Sequence, residues 1–258
     1  LNPPGLGCKV TSVMACSYEY ERSGKVITQI GSLPFRDVKK AVAYSLKRDI
    51  PFLPELTALG DATLDYIKNP GSLSCLAEFK RHRYETVKVQ AIGPATLIQS
   101  GYEENEALAR IYEHISRILD GLEAEEIILF LDEPALGYAG FEYEPLWEAL
   151  WEGLPREVIR GVHVCGNMQW DRLFEGEIEI ISFDASKYDI TKYYESRKGK
   201  RIAWGIKSLK DIKDFRKGDL ITPPCGMPHR AFTEEDAERV LSLLRAAAEQ
   251  ISSSQSLD

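Results

Sequence analysis

Long apolar runs are missing from this 258-residue chain. None approaches the roughly 20 residues a membrane-spanning helix needs, so no membrane partner is expected. Positive charge is also scarce. With 32 Lys and Arg against 40 Asp and Glu, the formal net charge is −8, and no basic stripe is visible. That argues against nucleic acid as a partner and suits a small-molecule enzyme or a protein docked by a basic one. The opening LNPPGLGCKVTSVMAC has no charged region followed by an apolar core. It is therefore a poor secretory signal, and a cytoplasmic location is expected. A disulfide framework is missing as well. The 5 cysteines are odd in number and scattered, so each is expected to be buried, reactive or metal-bound. No GxGxxG or Walker sequence opens the first structural unit, which weakens a nucleotide-binding reading. Neither a fixed-period repeat nor a low-complexity linker divides the chain.

What is present is a rhythm. Short β-branched or apolar runs occupy 26–31, 50–53, 87–92, 127–131, 158–164, 178–183, 202–206 and 219–222. Longer amphipathic stretches alternate with them. The clearest helices are 105–122, with Leu108, Ile111, Ile115 and Leu119 on one face, and 234–251, with Ala237, Val240, Leu241 and Leu244. Thr233, followed by Glu235 and Asp236, reads as a cap and acidic first turn. About eight strand–helix alternations predict an α/β fold with a parallel sheet, and eight is the barrel number. We expect a single (β/α)8 TIM barrel over 26–251, preceded by a segment of unassigned structure (1–25) and followed by a polar tail (252–258). A doubly wound open sheet is the alternative.

In such a barrel, chemistry sits at the carboxyl ends of the strands. Polar residues concentrate there: Ser32, Glu55, Thr96, Asp132, His163, Cys165, Asp184 and Cys225. His163 and Cys165 are two apart, so on a strand they point to the same face and can reach one metal. Cys225, after the last run, offers a second thiolate, and Asp184 an oxygen. One imidazole, two thiolates and a carboxylate select zinc over magnesium or calcium. From spacing alone the other reading is equally open: Cys165 and Cys225 as core residues and His163 as a satisfied strand-end histidine. Asp132 before Glu133-Pro134 also suits a turn, and Glu55 a solvated loop. Cys8, Cys16 and Cys75 match no motif, and His82, His114 and His229 read as surface residues.

From Thr28 to about Arg230 the chain resembles the catalytic domain of the cobalamin-independent methionine synthase family, in a short single-barrel form. The resemblance rests on Ile30-Gly31-Ser32, DIPFLPE at 49–55, Gly93-Pro94-Ala95-Thr96, Asp132-Glu133-Pro134-Ala135-Leu136, His163-Val164-Cys165, IISFD at 180–184 and Pro223-Pro224-Cys225-Gly226. It implies a zinc ion on His163, Cys165, Asp184 and Cys225, with Asp184 standing where the family usually has Glu. It also implies that Ile30, Gly31 and Ser32 bind the amino-acid part of homocysteine. Glu55 and Asp132 would act on the same group as catalytic and binding carboxylates. The product would be methionine. The tryptophan and arginine-rich segment expected around a folate site are not found, so a methylated corrinoid, free or protein-bound, is the expected donor. Alternatives are methyltetrahydrofolate as donor, or transfer of methyl from a cobamide to coenzyme M. Uroporphyrinogen decarboxylases share a similar barrel but lack the HxC and late Cys.

Overall fold

The computed structural model describes residues 25–138 and 142–255. Its strands are β1 (Ser32–Leu33), β2 (Glu55–Leu56), β3 (Arg83–Ile92), β4 (Glu123–Asp132), β5 (Ile159–Val164), β6 (Ile180–Asp184), β7 (Arg201–Gly205) and β8 (Leu220–Thr222). The helices are α1 (Val38–Ser45), α2 (Thr63–Tyr66), α3 (Leu76–Phe79), α4 (Pro94–Gln99), α5 (Glu104–Leu119), α6 (Glu144–Glu152), α7 (Trp170–Glu175) and α8 (Glu234–Gln255). None of the helices is long and apolar enough to cross a membrane, among the described residues.

Strands β3 to β8 pair in parallel and in chain order as one six-stranded sheet. Parallel neighbours need crossover connections, which explains why helical stretches alternate with the runs. Both faces of such a sheet are covered, so its strands read as continuous apolar runs. The sheet curls. Ile30, Ile50, Ile128, Phe130, Ile180, Ala203 and Leu220 form a small core of their own. They come from β4, β6, β7, β8 and the two segments leading to β1 and β2, so these elements surround a shared interior. A much larger core lies between the sheet and its helices.

The expected closed eight-strand barrel is corrected here. The described residues form the curled six-stranded sheet and a separate pair, β1 with β2. The segments that lead to β1 and β2 touch the six-stranded sheet at single parallel bridges, Ile27 with Ile221 and Phe52 with Lys88. The runs 26–31 and 50–53 are therefore not continuous strands. The reason is that side chains take the backbone donors a ladder would use. Asp49 Oδ2 accepts from the N–H groups of Val26 and Ile27 at 3.1 and 2.9 Å. Gln90 Oε1 accepts from Gly31 N–H at 2.7 Å, and Ser45 Oγ from Phe52 N–H at 2.8 Å. Each such bond satisfies a strand N–H without a neighbouring strand.

The helices follow their stripes. On α5, Ala107, Ile111, Ile115 and Ile118 are fully buried, and Leu108 and Leu119 pack at the margin. Each fully buried isoleucine contributes about 1.5–3 kcal/mol. Glu104 and Glu106 sit in the first turn, where the helix dipole favours negative charge. At the start of α8, Thr233 Oγ1 accepts from Asp236 N–H at 3.2 Å and Asp236 Oδ2 from Thr233 N–H at 2.8 Å. This reciprocal cap is the one expected from the sequence. The helix then continues past Ile251 to Gln255. Residues 1–24 and 256–258, within the expected leading segment and tail, lie outside the described residues.

Candidate functional site

His163 is carried on β5, directly opposite Ser182 of β6 in the sheet register. That pairing sets the ring: its Nδ1 is hydrogen-bonded to Ser182 Oγ at 3.0 Å. Its Nε2 then faces Cys165 Sγ at 3.1 Å. Cys165 follows β5 by one residue and keeps the two-residue parity of a strand. Cys225 lies in the turn after β8, behind Pro223 and Pro224, and its Sγ stands 3.3 Å from that of Cys165. The three donor atoms all lie within 4.8 Å of one another and form a cluster that can hold a metal ion. Three such donors around one zinc would stand about 3.5–3.8 Å apart, from ordinary Zn–S and Zn–N lengths.

The sulfurs divide a proton unequally. Cys225 is brought down to about 4, chiefly by the hydrogen bond from Cys165 and then by His163, against the burial that opposes it. Cys165 is pushed far up by the same bond, by burial and by the negative charge of Asp132. The direction of this shift favours the thiolate at Cys225, and thiolate is the form that ligates metal.

Asp184 does not join the cluster, which corrects its expected role as fourth ligand. It ends β6 on the same rim, but its Oδ1 accepts from Ser186 N–H at 3.1 Å and Ser186 Oγ at 2.5 Å. Its Oδ2 pairs with Lys187 Nζ at 3.1 Å. Local donors two and three residues on hold this short side chain. The side chain that does support the cluster, Ser182, was missed. Its signal is the alternation in IISFD, which places Ser182 on the inner face between Ile180 and Asp184. Ser182→Ala should free the imidazole and weaken metal affinity about 10–100-fold. Competition with a chromophoric chelator measures this, and an unchanged affinity would refute the orienting role.

A second cluster adjoins the first. Asp132 ends β4 opposite His163 in the register. Glu55 begins β2 and is buried. Between the two carboxylates lies the amide of Gln90, whose Nε2 donates to Asp132 Oδ2 at 2.8 Å and to Glu55 Oε1 at 3.3 Å. Beneath it, Lys88 is fully buried, with its Nζ 2.5 Å from Gln90 Oε1 and 4.6 Å over the Phe130 ring. Ser32 Oγ reaches Glu55 Oε2 at 3.4 Å. Asp132 Oδ1 is out of solvent reach and has no hydrogen-bond partner. The acidic and sulfur clusters are physically continuous: a Cβ on Gly226, next to Cys225, would lie 2.8 Å from Ser32 Cβ.

Ile30 and Gly31 do not reach this site as expected. The Ile30 side chain is in the inner core. Gly31 N–H is bonded to Gln90 and its carbonyl accepts from Glu55 N–H at 2.9 Å, so neither group faces a ligand. Lys88 and Gln90 were overlooked. Two polar residues alternate within VKVQAI, and parity puts both inside.

Burial and the nearby Asp132 charge raise Glu55 from the usual 4.5 to about 8. The folded chain therefore keeps a proton that the unfolded chain releases above about pH 4.5. This contribution to stability is full below that pH and is lost as pH rises through about 8. Lys88, lowered to about 8 by burial, acts in the opposite sense above that pH. Melting curves of metal-free protein should show Tm falling across the lower window, and Glu55→Gln should flatten the fall. An equal slope in that variant would remove Glu55 as its cause.

No model of a known protein family matches the chain, and no curated protein matches it. The site must be read from its own atoms. Thr96, one of the polar residues at the strand ends, is held by Glu133, whose Oε2 accepts from Thr96 N–H at 2.8 Å and Thr96 Oγ1 at 2.6 Å. Glu133 also accepts from Ala95 N–H and Trp147 Nε1, so it fastens the start of α4 to α6. His114 is not a surface residue: it is buried, stacks on Tyr66 at 4.3 Å and accepts from Gly71 N–H at 2.9 Å. Burial lowers it to about 4, so it stays neutral. Cys75 is a core residue, and Cys8 and Cys16 lie outside the described residues.

Proposed function

We propose that this chain is a zinc-dependent thiol methyltransferase that converts homocysteine to methionine, on an α/β fold built round the curled six-stranded parallel sheet. The observation that carries the reading is the adjacency of a His–Cys–Cys donor set to a carboxylate pair with one buried, unpartnered oxygen. His163, Cys165 and Cys225 would hold the ion, which leaves a fourth position for a substrate sulfur. Imidazole with thiolates favours zinc over the hard divalent ions. When bound, zinc supplies the acidity that keeps a substrate thiol deprotonated and nucleophilic at neutral pH.

The remaining work falls to the chain. Ser182 fixes the His163 ring. Asp132 Oδ1 and Glu55 accept hydrogen bonds from the substrate ammonium, and Ser32 Oγ stands beside them. This clamp sets the distance between the amino end and the sulfur and so aims the sulfur. Cys225 is exposed, which leaves the sulfur cluster open to a bulky donor. We read that donor as a methylated corrinoid, free or on a partner protein. The sulfur lone pair forms the S–C bond as the Co–C bond breaks, and cobalt keeps the electron pair.

Cobalt(II)-loaded protein tests the reading. Homocysteine should intensify the sulfur-to-cobalt charge-transfer absorption by adding a third sulfur. A spectrum that ignores homocysteine at saturating concentration would sink the proposal.

A further inference from the structure

We propose that Gln90, braced by Lys88, is a positioning residue that makes the Glu55–Asp132 pair select a thiol bearing one ammonium group; this rests on the homocysteine reading above. An amide side chain has an acceptor end and a donor end. At the acceptor end, Lys88 Nζ at 2.5 Å and Gly31 N–H at 2.7 Å can only donate. The Oε1 end is thereby fixed, and the two Nε2 protons must face Glu55 and Asp132. Nothing lets the amide swing away. Gln90 and Lys88 are both buried, and a Cβ on Gly31 would lie 2.6 Å from the amide carbon. Glycine at 31 is what lets the backbone approach so closely.

The consequence is a defined remainder. Gln90 takes one oxygen of each carboxylate, Oε1 of Glu55 and Oδ2 of Asp132. It also holds two like charges apart with donor groups between them. Left over are Glu55 Oε2, which has only a long contact to Ser32, and Asp132 Oδ1, which has none. An ammonium arriving at these oxygens displaces the proton that Glu55 otherwise keeps, so that Lys88 and one bound cation balance the two carboxylates. An ammonium group provides both the charge and the donors. A tail without it leaves Asp132 Oδ1 buried and unpaired, and sites of that kind reject analogues that lack the group.

The test compares binding of L-homocysteine with its des-amino analogue, 4-mercaptobutanoate, to metal-loaded protein. Gln90→Glu keeps both acceptor contacts and removes both donor contacts. Gln90→Met adds no buried charge and serves if the first variant does not fold. Wild type should prefer homocysteine at least about tenfold. In either variant the preference should shrink to about threefold or less, through weaker homocysteine binding. Metal content and mercaptobutanoate affinity should be unchanged, which a merely structural defect would not spare. A variant that keeps the full preference overturns this inference alone. Wild-type protein that binds neither thiol overturns the homocysteine reading and this inference with it, before any variant is made.

Discussion

Cys225→Ser should lose metal while keeping its fold. A hydroxyl is a far weaker zinc ligand than a thiolate, and Cys225 is the sulfur already held ionised, down to about 4, by its neighbours. Losing a direct ligand should exceed the roughly 10–100-fold cost of losing a supporting contact. Stability should hardly move, because Cys225 is exposed and contributes little to the core. Elemental analysis after dialysis against a mild chelator reads the first effect, and thermal melting the second. The same experiment on Asp184→Ala should leave the metal in place, since that carboxylate is engaged by Ser186 and Lys187. If Asp184→Ala lost metal as completely as Cys225→Ser, the three-residue centre would be incomplete as drawn.

Asp132→Ala should separate binding from stability. Its carboxylate supplies the unpartnered oxygen for a ligand ammonium. A charged hydrogen bond of this kind is worth about 1.5–3 kcal/mol, so homocysteine binding should weaken about 10–150-fold. Metal affinity should change much less. Stability should hold or rise near neutral pH. The negative charge of Asp132 is one of the causes that raise Glu55, and removing it lets that carboxyl ionise at lower cost. A residue whose loss stabilises the fold and impairs binding is the pattern of a functional site. Calorimetric titration with homocysteine measures the affinity; unchanged binding would dispose of the ammonium clamp.

Much of this was legible in the sequence because burial on both faces of a parallel sheet leaves a plain mark. VKVQAI, IILFL, GVHV, IISF, IAWG and DLIT stand out as runs, and β3 to β8 lie on them. β3 and β4 begin earlier than their runs because their first residues, such as Arg83 and Glu123, are paired but exposed. His163, Cys165 and Cys225 were readable for a different reason: a two-residue spacing on a strand leaves little choice of face. What could not be read was competition between side chains and backbone. Asp49 and Gln90 satisfy N–H groups that the run 26–31 would otherwise offer to a ladder, Ser45 does the same for Phe52 in the run 50–53, and no pattern of hydropathy reports this. Asp184 shares the inward parity of a ligand, yet Ser186 and Lys187 are closer. His114 was misjudged although the pattern held the answer. It falls on the same stripe of α5 as Ile111, Ile115 and Ile118, and helical position outweighs polarity there.

The most direct measurement of the central claim is product formation. Zinc-loaded protein is incubated with L-homocysteine and, in separate reactions, methylcobalamin or methyltetrahydrofolate, and methionine is quantified by mass. The account predicts methionine from the methyl-corrinoid, none after zinc is removed, and little or none from the folate. Turnover with the folate alone would overturn the donor and leave the zinc–thiolate chemistry standing. Zinc-independent methionine formation, or none from either donor with metal and homocysteine both bound, would contradict the account itself.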